Sequence, residues 1–132
     1  MKTSREAQDF VRTMKKRKDI LAVYLFGSVA SGKANQNSDV DICVIPAKES
    51  KSLDLVVGLG ANAPAKFDVV SFYRLPIQIR HRVFREGKSL YEKDRQAVSR
   101  IIFSTIREYL DMKPGLDRIY AGILKPKVAR HG

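Results

Sequence analysis

Apolar residues recur along this chain in two rhythms, one of helices and one of strands. Ala7, Phe10, Val11 and Met14 follow steps of three and four, the spacing of one helix face. Thr3 and Glu6 have the T-x-x-E spacing of a capping box, so that helix is predicted to start near residue 4. Ile20 to Phe26 is apolar at nearly every position and predicts a central strand covered on both faces. Residues 28–38 are small and polar, which predicts a loop with room for a short helical turn. Val40 to Ile45 predicts a second strand stopped by Pro46, residues 51–60 a helix broken by Ala61 to Pro64, and Phe67 to Phe72 a third strand. Pro76 stands where a first-turn proline belongs, ahead of a helix carrying Ile79, Val83 and Phe84 and ended by Gly87. Ser89 to Tyr91 can add a short strand.

From Asp94 the rhythm is helical again, with Val98, Ile101, Ile102, Thr105, Ile106, Tyr109 and Leu110 on one face. Pro114 and Gly115 are expected to break or kink that helix before a second stripe of Leu116, Ile119, Tyr120, Ile123 and Leu124. The order of elements predicts an α/β (α+β) fold, a small mixed β-sheet with helices packed on it. Residues 1–93 form the predicted core. Residues 94–132 form a helical extension packed on that core or used in association, all within one domain. A core this small offers little surface to cover both late stripes, so part of residues 94–124 is expected to mediate self-association or partner binding.

Composition narrows the class without deciding the function. At 132 residues and 44% hydrophobic, the chain has the makings of one soluble globular domain. No apolar run approaches the ~18 residues of a membrane span. The sequence MKTSREAQDF has no apolar signal region, so a cytoplasmic protein without membrane contact is expected. One cysteine, Cys43, excludes an internal disulfide framework and a cysteine zinc cluster. The net charge of +11 favours polyanionic partners, namely nucleotides, nucleic acid or an acidic protein, and fits a lysine-rich surface equally well. Basic residues gather at Lys15 to Lys18, at Arg74, Arg80, Arg82 and Arg85, and in the tail at Lys125, Lys127 and Arg130.

The candidate chemistry lies in the carboxylates. Asp39 and Asp41 flank Val40 at the start of the second strand, and side chains two apart on a strand share a face. The pair therefore stands ~6–7 Å apart along the strand, while Val40 and Ile42 point to the packed face. Two neighbouring anions at the end of an apolar strand call for a cation, and hard divalent metals prefer carboxylate oxygens. Asp68 interrupts the apolar run KFDVVSF, where a lone charge is costly unless paired or metal-bound. Should its strand lie beside the second, three carboxylates converge as two-metal phosphoryl chemistry requires.

Gly27-Ser28 follows the first strand directly. Glycine lets backbone approach a phosphate, the following N–H groups can face the anion, and the serine hydroxyl adds a donor. Gly27 to Lys33 also reads G-x-x-x-x-G-K, a near match to a P-loop. The magnesium-binding Ser or Thr is replaced by Ala34, and a strand rather than a long helix follows, so the P-loop reading is set aside. Lys33 then reads as a solvated loop lysine.

The stretch GSVASGKANQNSDVD is Gly27-Ser28, ten residues, then Asp39-x-Asp41. This pattern resembles the signature of the nucleotidyltransferases of the DNA polymerase beta superfamily. The short length and the third acid at Asp68 are similar to its minimal nucleotidyltransferase (MNT) branch. The resemblance covers residues 1 to about 92, and the tail is similar to the helical extension of the antitoxins in HEPN/MNT toxin–antitoxin pairs. It implies that Gly27 and Ser28 hold the β- and γ-phosphates of ATP. It implies that Asp39 and Asp41 bind two magnesium ions, and that Asp68 binds the catalytic one and helps deprotonate the acceptor hydroxyl. Pyrophosphate would leave. The acceptor so implied is a tyrosine of a HEPN-type ribonuclease toxin, silenced by AMP.

Two alternatives stay open at this level: a binding module that neutralises a partner without catalysis, and transfer to RNA ends or a small molecule. A homo-oligomer is also open. Cys43 shares the strand face of the aspartates but lies farther in, as buried packing. His81 and His131 are expected at the surface without partners. Arg74, Arg80, Arg82 and Arg85 are expected on a solvated helix face.

Overall fold

A computed structural model describes residues 5–27 and 39–129, with side chains to residue 122. The expected cap at Thr3 and the loop at 28–38 lie outside the described residues. Helix α1 (Arg5–Lys15) buries Ala7, Phe10, Val11 and Met14, the face its spacing predicts. It turns at Arg17, whose guanidinium donates two bonds of 2.9 and 2.8 Å to Asp19, and enters β1 (Ile20–Phe26).

Strand β1 is central, as its apolar run predicts. It pairs antiparallel with β2 (Val40–Pro46) on one side and with β4 (Lys88–Glu92) on the other. Strand β2 also pairs in parallel with β3 (Phe67–Ser71), giving the order β3-β2-β1-β4 in a mixed four-stranded sheet. The parallel step needs a crossover, and α2 (Ser52–Ala61) supplies it after a 3-10 turn at Glu49–Lys51. A buried hydrogen bond between Ser52 and Ser71 ties the start of α2 to the end of β3.

Helices cover both sheet faces, which explains why β1 and β2 are apolar at nearly every position. Val23, Leu25, Ile42 and Val44 pack under α1 and α2 with Phe10, Met14, Leu55 and Leu59. Ala22, Tyr24, Cys43 and Ile45 pack on the other face with Phe72, Val83 and Val98, from the turn after β3, α3 (Ile77–Glu86) and α4 (Arg95–Ala129). Cys43 is buried as expected, and burial pushes its thiol well above the ordinary range.

Several boundaries differ for physical reasons. Pro46 is the last residue of β2 rather than the one that stops it. Phe72 leaves the sheet to open a 3-10 turn, Phe72–Arg74, and fills the core. Asp94 caps α4, accepting the N–H of Gln96 and Ala97 at 3.1 and 3.2 Å. The larger correction concerns Pro114 and Gly115. Helix α4 runs through both as one 35-residue element. Proline removes the bond to the Leu110 carbonyl, but strong helix on either side, and the Lys113–Asp117 ion pair at 2.8 Å across it, carry the helix on.

Candidate active site

The site forms where β1 ends and β2 and β3 begin. The Val40 N–H donates to the Lys66 carbonyl at 2.8 Å and fixes the parallel register. That register sets Asp41 directly beside Asp68, and the antiparallel register sets Phe26 on its other side. Neighbouring strands lie ~4.8 Å apart, so the two aspartate backbones are in contact distance across the ladder. Asp39 precedes Val40 at the mouth of β2. Asp39 and Asp68 are exposed, whereas Asp41 is half-buried.

Gly27 follows Phe26 with φ +79°, a left-handed conformation that glycine adopts without strain. A Cβ at this position would collide with Oδ2 of Asp41. The glycine thus serves two needs, turning the chain out of β1 and leaving room for the central carboxylate. Ser28 lies outside the described residues, as does the P-loop lookalike beyond Gly27.

The electrostatics follow from this placement. Asp41 is pushed above the usual carboxylate range, first by burial, then by the charge of Asp68, then by that of Asp39. Among the described residues, no lysine or arginine forms an ion pair with any of the three. As the side chains stand, no three histidine, cysteine or acidic groups among the described residues are gathered tightly enough to hold an ion. The donor set itself, three carboxylates at one end of a sheet, fits a hard divalent cation.

Two residues placed on the surface by their sequence context have structural roles. Arg80 donates to the carbonyls of Tyr73 and Leu75 at 2.8 Å each, and its guanidinium lies 5.4 Å from the Phe72 ring centre. Its sequence signal was helical phase, since Arg80 falls three after Ile77 and four before Phe84 on the inward face of α3. His81 stacks on Tyr109 of α4 with ring centres 3.9 Å apart and planes 7° from parallel. No local pattern indicates that contact, because the two rings lie on different helices. Arg82 and Arg85 are exposed and share Glu86, at 3.6 and 3.3 Å.

A family model described as "Polymerase beta, Nucleotidyltransferase" matches residues 8–96. A curated protein of Methanocaldococcus jannaschii, named "Putative protein adenylyltransferase", is 26% identical over 72 residues, which are 54% of this chain and 56% of that protein. The chain thus spans about half the length of that relative. Among solved structures, a chain of a toxin–antitoxin complex with AMP-PNP superposes with a TM-score of 0.72 at 22% identity, covering 92% of this chain and 99% of the other. A chain of the Shewanella oneidensis complex of a tri-AMPylated HEPN toxin with MNT antitoxin gives a TM-score of 0.64 at 19% identity, over 90% and 98%. At these identities the superpositions establish a shared fold.

Proposed function

Because the chain belongs to the nucleotidyltransferase family of polymerase beta, we propose that it transfers AMP from magnesium-bound ATP to a tyrosine hydroxyl of a HEPN-type ribonuclease toxin, acting as that toxin's antitoxin. The observation that carries this reading is the pairing of Asp41 with Asp68 across β2 and β3, beside a glycine turn that ends β1. The adenylyltransferase name of the archaeal relative and the AMP-modified toxin in the Shewanella complex support the choice of AMP and of a protein acceptor.

In this reading the family's motif assigns the roles. Gly27 and Ser28 would bind the β- and γ-phosphates with backbone N–H and hydroxyl donors. Asp39 and Asp41 are the residues that would hold two magnesium ions, with Asp68 sharing the catalytic one. Bound there, the ions supply neutralising charge for the carboxylates and for the phosphoryl oxygens. Asp68, at the exposed side of the site, takes the proton of the acceptor hydroxyl. The tyrosine oxygen forms a bond to the α-phosphorus, the bond to the bridging oxygen breaks, and pyrophosphate departs with the electron pair.

Mass spectrometry tests this directly. Co-expressed with its genomic neighbour, the chain should add whole adenylyl units to that neighbour, and the Asp41→Ala chain should add none. Neutralisation of the neighbour by the Asp41→Ala chain, without mass change, would instead make the protein a binding module.

A further inference from the structure

Helix α4 carries one apolar seam from Val98 to Ile119. Val98, Ile102, Thr105 and Tyr109 are separated by steps of four, three and four, and Met112, Leu116, Ile119 and Ile123 continue the same alternation in the sequence. This is the a/d spacing of a helix that packs against another along its length. The first half has its partner. Val98 and Thr105 are buried, and Tyr109 stacks on His81 of α3. Along the second half, Met112 is 45% exposed, Ile119 60% and Tyr120 57%.

The uncovered half borders a groove of about 190 Å3 between α3 and α4. Arg82 and Arg85 form its α3 wall, with Tyr109, Leu116 and Tyr120 on the α4 side. The two arginines share a single acid, Glu86, whereas Lys113 on the other wall is already paired with Asp117. The groove is lined mainly by polar and charged side chains, with Tyr109, Leu116 and Tyr120 as its less polar part, and it carries excess positive charge on its α3 side, next to the exposed apolar knobs Met112 and Ile119 of α4.

We propose that the exposed second half of the α4 seam, with the arginine wall beside it, docks an amphipathic helix of another protein, apolar at matching a/d positions and acidic along the flank that faces α3. A seam of knobs at heptad spacing fits a helix, and the arginine wall selects acidic neighbours for it. A second copy of this chain is the poorer occupant. A two-fold contact would bring the Arg82 and Arg85 walls of both copies onto one seam and oppose two chains of net charge +11.

The test uses the full chain and needs neither ATP nor metal, so its failure is separate from failure of the transfer reading. The probe is a fluorescent synthetic peptide of about four heptads with leucine at a and d and glutamate at the flanking positions, with a twin carrying lysine there. By anisotropy, the acidic peptide should bind at least about tenfold more tightly than its twin. Leu116→Ser with Ile119→Ser, which leaves the charge unchanged, should weaken binding by at least about tenfold, as should Arg82→Glu with Arg85→Glu. The same charge reversal at Lys15 and Lys16, beside the opposite sheet face, should leave the affinity unchanged once circular dichroism shows all variants folded. Three results would overturn the proposal. One is equal binding of the two peptides, or binding indifferent to Leu116 and Ile119. Another is a chain that is dimeric by light scattering and made monomeric by the serine pair. The last is oligouridine RNA that displaces the peptide and loses affinity with the arginine pair.

Discussion

Asp41 is held in the fold at a cost. Burial, Asp68 and Asp39 all raise its carboxyl, so the folded chain keeps a proton that the unfolded chain has released. Stability therefore falls as pH rises from the ordinary carboxylate value, about 3.9, to the higher folded value, and the whole penalty is present above that window. Asp41→Asn should melt at a higher temperature than wild type at pH 7 without divalent cations, and the difference should vanish below about pH 4. Magnesium should raise the melting temperature of wild type and have less effect on the variant. A lower melting temperature for Asp41→Asn at neutral pH would contradict this. Gly27→Ala should cost about 1–2 kcal/mol in urea unfolding from its positive φ alone, and its clash with Asp41 should remove transfer as well. Arg80→Ala should cost about 1–3 kcal/mol through two orphaned carbonyls, while Arg82→Ala, losing an exposed pair, should stay within about 0.5 kcal/mol. At this scale the sequence was readable where parity rules. Alternation placed Asp39 and Asp41 on one face and Cys43 behind them. It could not place Asp68, because parity assigns a face but says nothing about which strand is the neighbour.

At the scale of elements, both rhythms predicted existence and type for every strand and helix of the sheet, and boundaries moved only where packing intervened. Phe72 continues an apolar run that reads as strand, yet the side chain is drawn into the core by the turn that Arg80 staples. Pro114 is the instructive miss. A proline usually ends a helix through one lost bond and one clash, but those costs are local and α4 is anchored well before it by Val98, Thr105 and Tyr109. Pro114→Ala should restore the missing bond and strengthen the surrounding turns by up to about 3 kcal/mol. Hydrogen exchange should then slow at amides near residues 110–120, with little change in global unfolding, because the seam there is uncovered. Unchanged exchange would mean that the proline costs the helix nothing.

For the whole molecule, the first turns of α4 belong to the same packed face as Cys43, Ile45 and Val83. A chain ended after Lys93 should therefore expose that face and aggregate, while one ended after Asp111 should keep the global stability of the full chain. Equal solubility of both would show that α4 adds nothing to the core. The fold places three carboxylates and a glycine turn at one end of the sheet. Family membership, residues 8–96, gives that arrangement a chemistry. The most direct measurement follows the label. Given α-labelled or γ-labelled ATP with magnesium and the co-purified neighbour, the chain should pass the α-label, not the γ-label, to a tyrosine. Asp41→Asn and Asp68→Asn should each reduce that transfer about 10²–10³-fold or more. Transfer of the γ-label, or α-label transfer undiminished in both variants, would contradict the account.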